Sequence, residues 1–355
     1  MRVRLTLAVA LAAALAVPAT AGAATKVVTM GTPPAAQRAI NRDQVSDVNA
    51  FFPSSVTIAA GDSVRFQPAG FHTVDLPVRG RGPAPLFTPG QPIAGVADAA
   101  GVPFWFNGQP ALGFNPSLLT SGFGKRFAYT GAKRVDSGLP LQPNPKPMTV
   151  RFPRGGNFTY FCDVHPGMKG IVHVRQAGSS TPTVAADRRR VTQQAADALR
   201  LAKSLATTKP PSGTVSVGAS ARGGVERFAF FPAALTVPVG TVLKFQMSSA
   251  SREVHTATTG PGNPETEPNS YLGQLEAAFN SPAGSPALLY PSEQPPAVGN
   301  LTPTLHGNGF WNSGVMDAVG ASPPPPSNSV RFAAAGTYQF YCMIHPFMHA
   351  TITVQ

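Results

Sequence analysis

Cysteine is nearly absent from this chain: 355 residues contain only Cys162 and Cys342. Two cysteines cannot build a disulfide scaffold, so the choice is between one bridge and two separate thiols. Charged residues are scarce at 12% and aromatic ones at 8%, whereas Gly (35) and Pro (38) are abundant. That balance argues against a helical protein and for a loop-rich β protein. Beyond the first two dozen residues no stretch is apolar enough to span a bilayer, which excludes an integral membrane segment in the mature chain. The net charge of +12 comes from dispersed basic residues, Arg188-Arg189-Arg190 apart. Dispersed charge on an exported chain fits no nucleic-acid partner; it fits a solvated basic surface or an acidic protein partner.

Export is read from the N-terminus. Arg2 and Arg4 precede an apolar run from Leu5 to Val17, and Ala21-Gly22-Ala23 follows the small-x-small pattern of a cleavage site. Residues 1–23 are therefore expected to be a secretory signal peptide. The run is too short for a spanning helix, and no cysteine near the cleavage region supports a lipid anchor. The expected location is secreted, periplasmic or on the cell-envelope exterior, in a bacterium.

The sequence repeats itself. Residues 50–67, AFFPSSVTIAAGDSVRFQ, match residues 229–246, AFFPAALTVPVGTVLKFQ. Residues 149–174, TVRFPRGGNFTYFCDVHPGMKGIVHV, match residues 329–354, SVRFAAAGTYQFYCMIHPFMHATITV. Both pairs lie about 180 residues apart, which marks a duplicated unit. Within the inserts, Leu119-Thr120-Ser121-Gly122-Phe123 is loosely placed against Trp311-Asn312-Ser313-Gly314-Val315. Each unit reads as β: two alternating strands in an opening hairpin around a Gly turn, then a short aromatic strand and a closing strand. Between the units, residues 184–206 carry Val191, Ala195, Ala198, Ala202 and Leu205 at three- and four-residue spacing, which predicts one amphipathic helix ended by Lys209-Pro210-Pro211. The expected layout is 1–23 leader, 24–176 first domain, 177–212 linker with helix, and 213–355 second domain. The fold class expected is all-β, two tandem antiparallel sandwiches.

The chemistry sits in the closing segments. Each contains Cys-x-x-His-x-x-Met: Cys162, His165 and Met168, then Cys342, His345 and Met348. Each opening segment is followed by one His, His72 or His255, lying 90 and 87 residues before the respective Cys. The chain has only 7 His and 8 Met, so the same pattern at both cysteines is a poor candidate for coincidence. One thiolate, two imidazoles and a thioether are the donor set of a mononuclear copper electron-transfer site. This makes copper, Cu+/Cu2+, the expected cofactor, one per unit, and argues against a Cys162–Cys342 disulfide.

The pattern resembles the cupredoxin (blue copper) family, and the loop Cys342-Met343-Ile344-His345-Pro346-Phe347-Met348 is most similar to amicyanin. Cys162-Asp163-Val164-His165-Pro166-Gly167-Met168 differs by Gly167 in place of Phe. The resemblance covers the opening and closing parts of each unit, roughly half of the mature chain. It implies Greek-key sandwiches and implies that His165 and His345 lie near the surface, where Pro166 and Pro346-Phe347 form apolar patches for electron exchange. Two departures stand out. Thr73 and Thr256 occupy the place after the first His where small cupredoxins carry Asn, and the His-to-Cys separation is about twice as long. The inserts, about 78–147 and 257–328, are expected to pack small cores of their own, with Pro323–Pro326 as a stiff extended piece.

Electron transfer with a redox partner protein is therefore the leading function, with copper storage or delivery as the alternative. A multicopper oxidase or nitrite reductase is disfavoured. The chain has no His-x-His, and after four His are assigned only three remain: His173, His306 and His349. These three are expected to be surface or packed residues.

Overall fold

A computed structural model describes residues 23–42, 45–279, 284–319 and 325–355. The leader thus lies outside the described residues except for Ala23, as do Pro323 and Pro324 of the proline run. Strand outweighs helix, 35% to 15%, so the fold is mostly β. Among the described residues no helix is long and apolar enough to cross a membrane.

In the N-terminal half, one sheet runs Phe51–Phe52, Thr25–Met30, Ser63–Pro68, Met148–Arg151, Arg126–Ala128. A second runs Val135–Asp136, Asp75–Leu76, Gly156–Phe161, Lys169–Arg175, Ser55–Ala59. Alternation supplies the core between them: Val28, Val64, Phe66 and Val150 from the first sheet meet Val56, Ile58, Tyr160 and Val172 from the second. The C-terminal half repeats this, with Val215, Phe245 and Phe332 facing Phe340, Ile352 and Trp311. Full burial of each such side chain contributes roughly 1.5–3 kcal/mol.

The expected opening hairpin is not one. Ser55–Ala59 and Ser63–Pro68 belong to different sheets, as do Ala234–Val237 and Val242–Met247. Both strands of each pair carry an inward apolar face, so the Gly61 turn carries the chain across the core instead of folding it back in one ladder. Gly61 has φ +101°. Asp62 holds the arch by accepting from Ala24 N (2.7 Å) and Ala59 N (3.0 Å).

The helix between the halves spans Val184–Leu205, capped by Thr183, whose hydroxyl accepts from Ala186 N. It ends four residues before Lys209. Ala198, Ala202 and Leu205 bury against Ile40, Val48 and Phe52. Three shorter helices, Pro34–Ile40, Tyr271–Phe279 and Pro286–Leu289, were not legible as helices. The strand Ser46–Val48 crosses over and pairs with Val225–Phe231 of the other half.

The inserts do not pack separate cores. Phe104, Phe106 and Leu112 of the first share one apolar cluster with Leu272, Leu289 and Phe310 of the second. Trp105 Nε1 donates to Pro291 O and Tyr290 Oη to Pro110 O, at 2.8 and 2.7 Å. His306 pins the same seam between Asp98 (3.1 Å) and Glu293 (2.9 Å). Burial alone would lower its pKa, but the hydrogen bonds and charges of Glu293 and Asp98 hold it above the ordinary value. A raised folded-state pKa means the contribution is full below about 6.5 and is lost as pH rises through the folded value. Thermal melts of wild type between pH 6 and 9 should therefore fall more than those of His306→Gln, by on the order of 1–3 kcal/mol. Equal slopes would remove His306 as the pin.

Candidate metal centre

Each candidate loop closes a hairpin. Gly156–Phe161 pairs with Lys169–Arg175 up to Phe161 opposite Lys169, and Gly336–Tyr341 pairs with His349–Val354 up to Tyr341 opposite His349. The seven loop residues fold the same way twice. Cys162 N donates to Met168 O and Met168 N to His165 O, both at 3.0 Å; Cys342 and Met348 repeat these at 3.1 and 2.8 Å. Three of the four expected donors of each set are thereby held on one short turn.

The remote His completes each set. In the first, Cys162 Sγ lies 3.4 Å from His165 Nδ1 and 4.0 Å from His72 Nδ1, and the two Nδ1 atoms are 2.9 Å apart. In the second, Cys342 Sγ lies 3.7 Å from His345 Nδ1 and 3.6 Å from His255 Nδ1, with the nitrogens 3.2 Å apart. Donors ~2.0–2.3 Å from one ion in a trigonal arrangement stand roughly 3.5–4.0 Å apart. The sulfur–nitrogen separations lie close to that range and the two nitrogens of each triad lie nearer, with all three donor atoms within 4.8 Å of one another, close enough to share one metal. Both cysteines are buried and free. Met168 and Met348 are buried in the same apolar clusters as Cys162 and Cys342. Thiolate, imidazole and thioether together suit copper.

No protein-family model matches the chain, and no curated protein matches it. Solved cupredoxin structures do. A reduced Cu(I) form of an amicyanin mutant at pH 4 matches at 15% identity, over 42% of this chain and 89% of that one, with TM-score 0.22. Oxidised plastocyanin from Dryopteris crassirhizoma matches at 21%, over 40% and 99%, with TM-score 0.21. A purple cupredoxin from Nitrosopumilus maritimus matches at 16%, over 40% and 98%, with TM-score 0.19.

The surroundings explain how each triad is fixed. Thr73 N and Thr256 N each donate to the cysteine sulfur at 3.4 Å. The threonine hydroxyls accept from the backbone N–H after the cysteine, Asp163 at 2.7 Å and Met343 at 2.9 Å. Threonine thus tethers the loop across the core in both halves. Thr73→Val keeps the shape but strands the Asp163 N–H, so chemical denaturation should show a loss of roughly 1–3 kcal/mol. No loss would mean water replaces the tether. The remote His is seated under a glycine: a Cβ on Gly31 would lie 2.5 Å from the His72 ring, and one on Gly218 would lie 2.8 Å from His255 Nε2.

The insert alignment needs correcting. Ser137 Oγ accepts from Val74 N at 2.9 Å and Ser313 Oγ from Ala257 N at 2.8 Å, and each donates to the next glycine's carbonyl. The partner of Ser313-Gly314 is therefore Ser137-Gly138, not Ser121-Gly122. That register exposes a difference between the halves. Behind Cys162 stand three carboxylates, Asp75, Asp136 and Asp163, where the C-terminal half has Thr258, Asn312 and Met343. Burial pushes Asp163 up to about 9 and Asp136 up to about 7. Asp75 is raised by burial too, with Arg134 opposing.

The larger departure is at His165. It is buried, 6% exposed, not at the surface. Glu253 of the other half covers it, with Oε2 3.3 Å from His165 Nε2 and 3.1 Å from Asn49 Nδ2. Burial opposes the ionised Glu253, but His165 and the neighbouring histidines hold the carboxyl well below its usual range. Burial likewise opposes charge on Cys162 and His165. The charge of Glu253, followed by that of Cys162, reverses it at His165, and His165 followed by His72 reverses it at Cys162, so the imidazole rises and the thiol drops. The other triad has no such contact: burial pushes Cys342 up to about 11 and His255 down to about 3. His345 is only partly covered, stacked on Phe228 at 4.8 Å, with Phe347 39% exposed beside it. Sequence reasoning missed Glu253; its only signal was a carboxylate two residues before a candidate ligand.

The three remaining histidines are elsewhere. His173 faces Asn157, His306 sits in the insert seam, and His349 lies on the closing strand near Tyr341. No cluster of three metal-binding side chains among the described residues contains any of them.

Proposed function

We propose that the chain is an exported, tandemly duplicated cupredoxin, with Greek-key domains at 24–176 and 213–355, that transfers electrons. The ligands are His72, Cys162, His165 and Met168 in one domain, and His255, Cys342, His345 and Met348 in the other. The observation that carries this reading is the convergence of one thiol and two imidazole nitrogens, twice, on equivalent loops. Copper bound there supplies one-electron chemistry between Cu(I) and Cu(II). The protein's part is rigidity. The ladder below each loop, the threonine tether and the glycine above the remote ring leave the donors little freedom to move, which keeps reorganisation small. Burial keeps water from the thiolate. The partly open edge at His345 and Phe347 is the contact for a redox partner, which the basic surface selects to be acidic.

The test is a chelator challenge. The copper-loaded chain is reduced with ascorbate, dialysed against a Cu(I) chelator and reoxidised. Retention of about two coppers per chain through the cycle supports a carrier. Loss of both on reduction would make the protein a delivery module instead.

A further inference from the structure

A cavity of about 420 Å³ lies between the two metal centres, within the range of small-molecule sites. Its wall is apolar. Phe87 and Phe114 stack at 5.1 Å, and Phe279 meets Phe114 edge-on at 6.3 Å. Val254 and Ile344 continue the wall toward the second centre. The ionisable residues lining it are His165, Glu253 and His345. One pocket thus borders a metal-binding histidine of each triad.

The polar groups define the occupant. The Glu253 carboxyl already accepts from His165 Nε2 and Asn49 Nδ2 at Oε2, and from its neighbour's backbone, Val254 N, at 3.0 Å at Oε1. A carboxylate has about four acceptor sites, so acceptor capacity remains and no donor is offered by it. A ligand here must donate a hydrogen bond. Its body must be apolar, and planar rings pack best among edge-on and stacked phenyl groups. The apolar wall leaves a charged ligand of either sign poorly solvated, so the occupant is neutral. We propose that this cavity binds a small neutral phenol or hydroquinone, with its hydroxyl on Glu253 and its ring among Phe87, Phe114 and Phe279.

Binding needs no metal. Use of the ligand as electron donor rests on the copper reading above. A hydroquinone becoming a quinone releases two electrons and two protons, and two one-electron acceptors flank the one cavity. One electron goes to each acceptor, and both protons leave to solvent on the side of the cavity where Leu141 is exposed.

The experiment is calorimetry on the copper-free full-length mature chain with 4-methylphenol, toluene and benzylamine. The phenol should bind at least tenfold tighter than toluene and than benzylamine. Leu141 is 58% exposed and lines the cavity, so Leu141→Trp narrows it without disturbing the core. That variant should weaken phenol binding at least tenfold while its melting temperature stays unchanged. No binding at millimolar phenol would overturn the proposal. So would equal affinity for toluene, tighter benzylamine binding or indifference to Leu141→Trp. Failure of the copper reading shows separately, as a missing thiolate-to-copper band in the loaded chain.

Discussion

Loading the Cys162→Ser variant with Cu(II) is expected to give half the thiolate-to-copper absorption of the parent, near ~600 nm, and one copper per chain in place of two. Cys342→Ser should give the same loss, and the double variant should show no band. The reason is chemical. A serine hydroxyl does not ionise to replace the thiolate, so the donors left behind bind Cu(II) too weakly to retain it and supply no intense sulfur transition. Removing outer-shell support of a metal site costs ten- to hundredfold in affinity; removing the thiolate is expected to cost more. The triads share no ligand and their cysteines lie in separate apolar clusters, so the two losses should add. A band untouched by either substitution would sink the proposed ligand sets.

The second large effect is expected at Glu253→Gln in the copper-loaded protein. The carboxylate lies 3.3 Å from His165 Nε2, inside a buried interface. A negative charge there favours Cu(II) over Cu(I), so its removal should raise the midpoint potential of the first centre. A unit charge about 8 Å away at an effective dielectric near 20 is worth about 2 kcal/mol, or roughly 90 mV for one electron. The second centre should rise less, because Glu253 makes no hydrogen bond to His345 or His255. Redox titration of Cys342→Ser and Cys162→Ser backgrounds separates the two. Equal shifts, or none at the first centre, would contradict the assignment of Glu253 to His165. Glu253→Ala is a different experiment: it strands His165 Nε2 and Asn49 Nδ2 in a dry interface, and breaking such a buried contact costs roughly 3–5 kcal/mol.

Together these contacts make the two centres unequal. Glu253 closes the outer edge of the first, while Phe228 and Phe347 leave the second partly open. Under the proposed electron-transfer reading, exchange with a protein partner would be directed to His345, and the cavity lined by both His165 and His345 would be the other approach to the first centre.

The triads and the connecting helix could be read from the chain because local signals carry them. A Cys-x-x-His-x-x-Met turn sets its own geometry between two strands, a two-residue alternation fixes which side chains face the core, and three- and four-residue spacing fixes the buried face of Val184–Leu205. The remote histidines were found because the repeat shows them twice. What the halves do to each other had no local signal. That Ser55–Ala59 and Ser63–Pro68 part into two sheets, that Ser46–Val48 joins the other half, and that the inserts share one core are choices among surfaces of similar apolarity, settled by packing partners far away in the chain. Glu253 shows the limit most clearly. Residue order places a carboxylate two residues before His255; only the tertiary structure sets it against His165, because burying an ionised group is tolerable solely where distant donors converge on it.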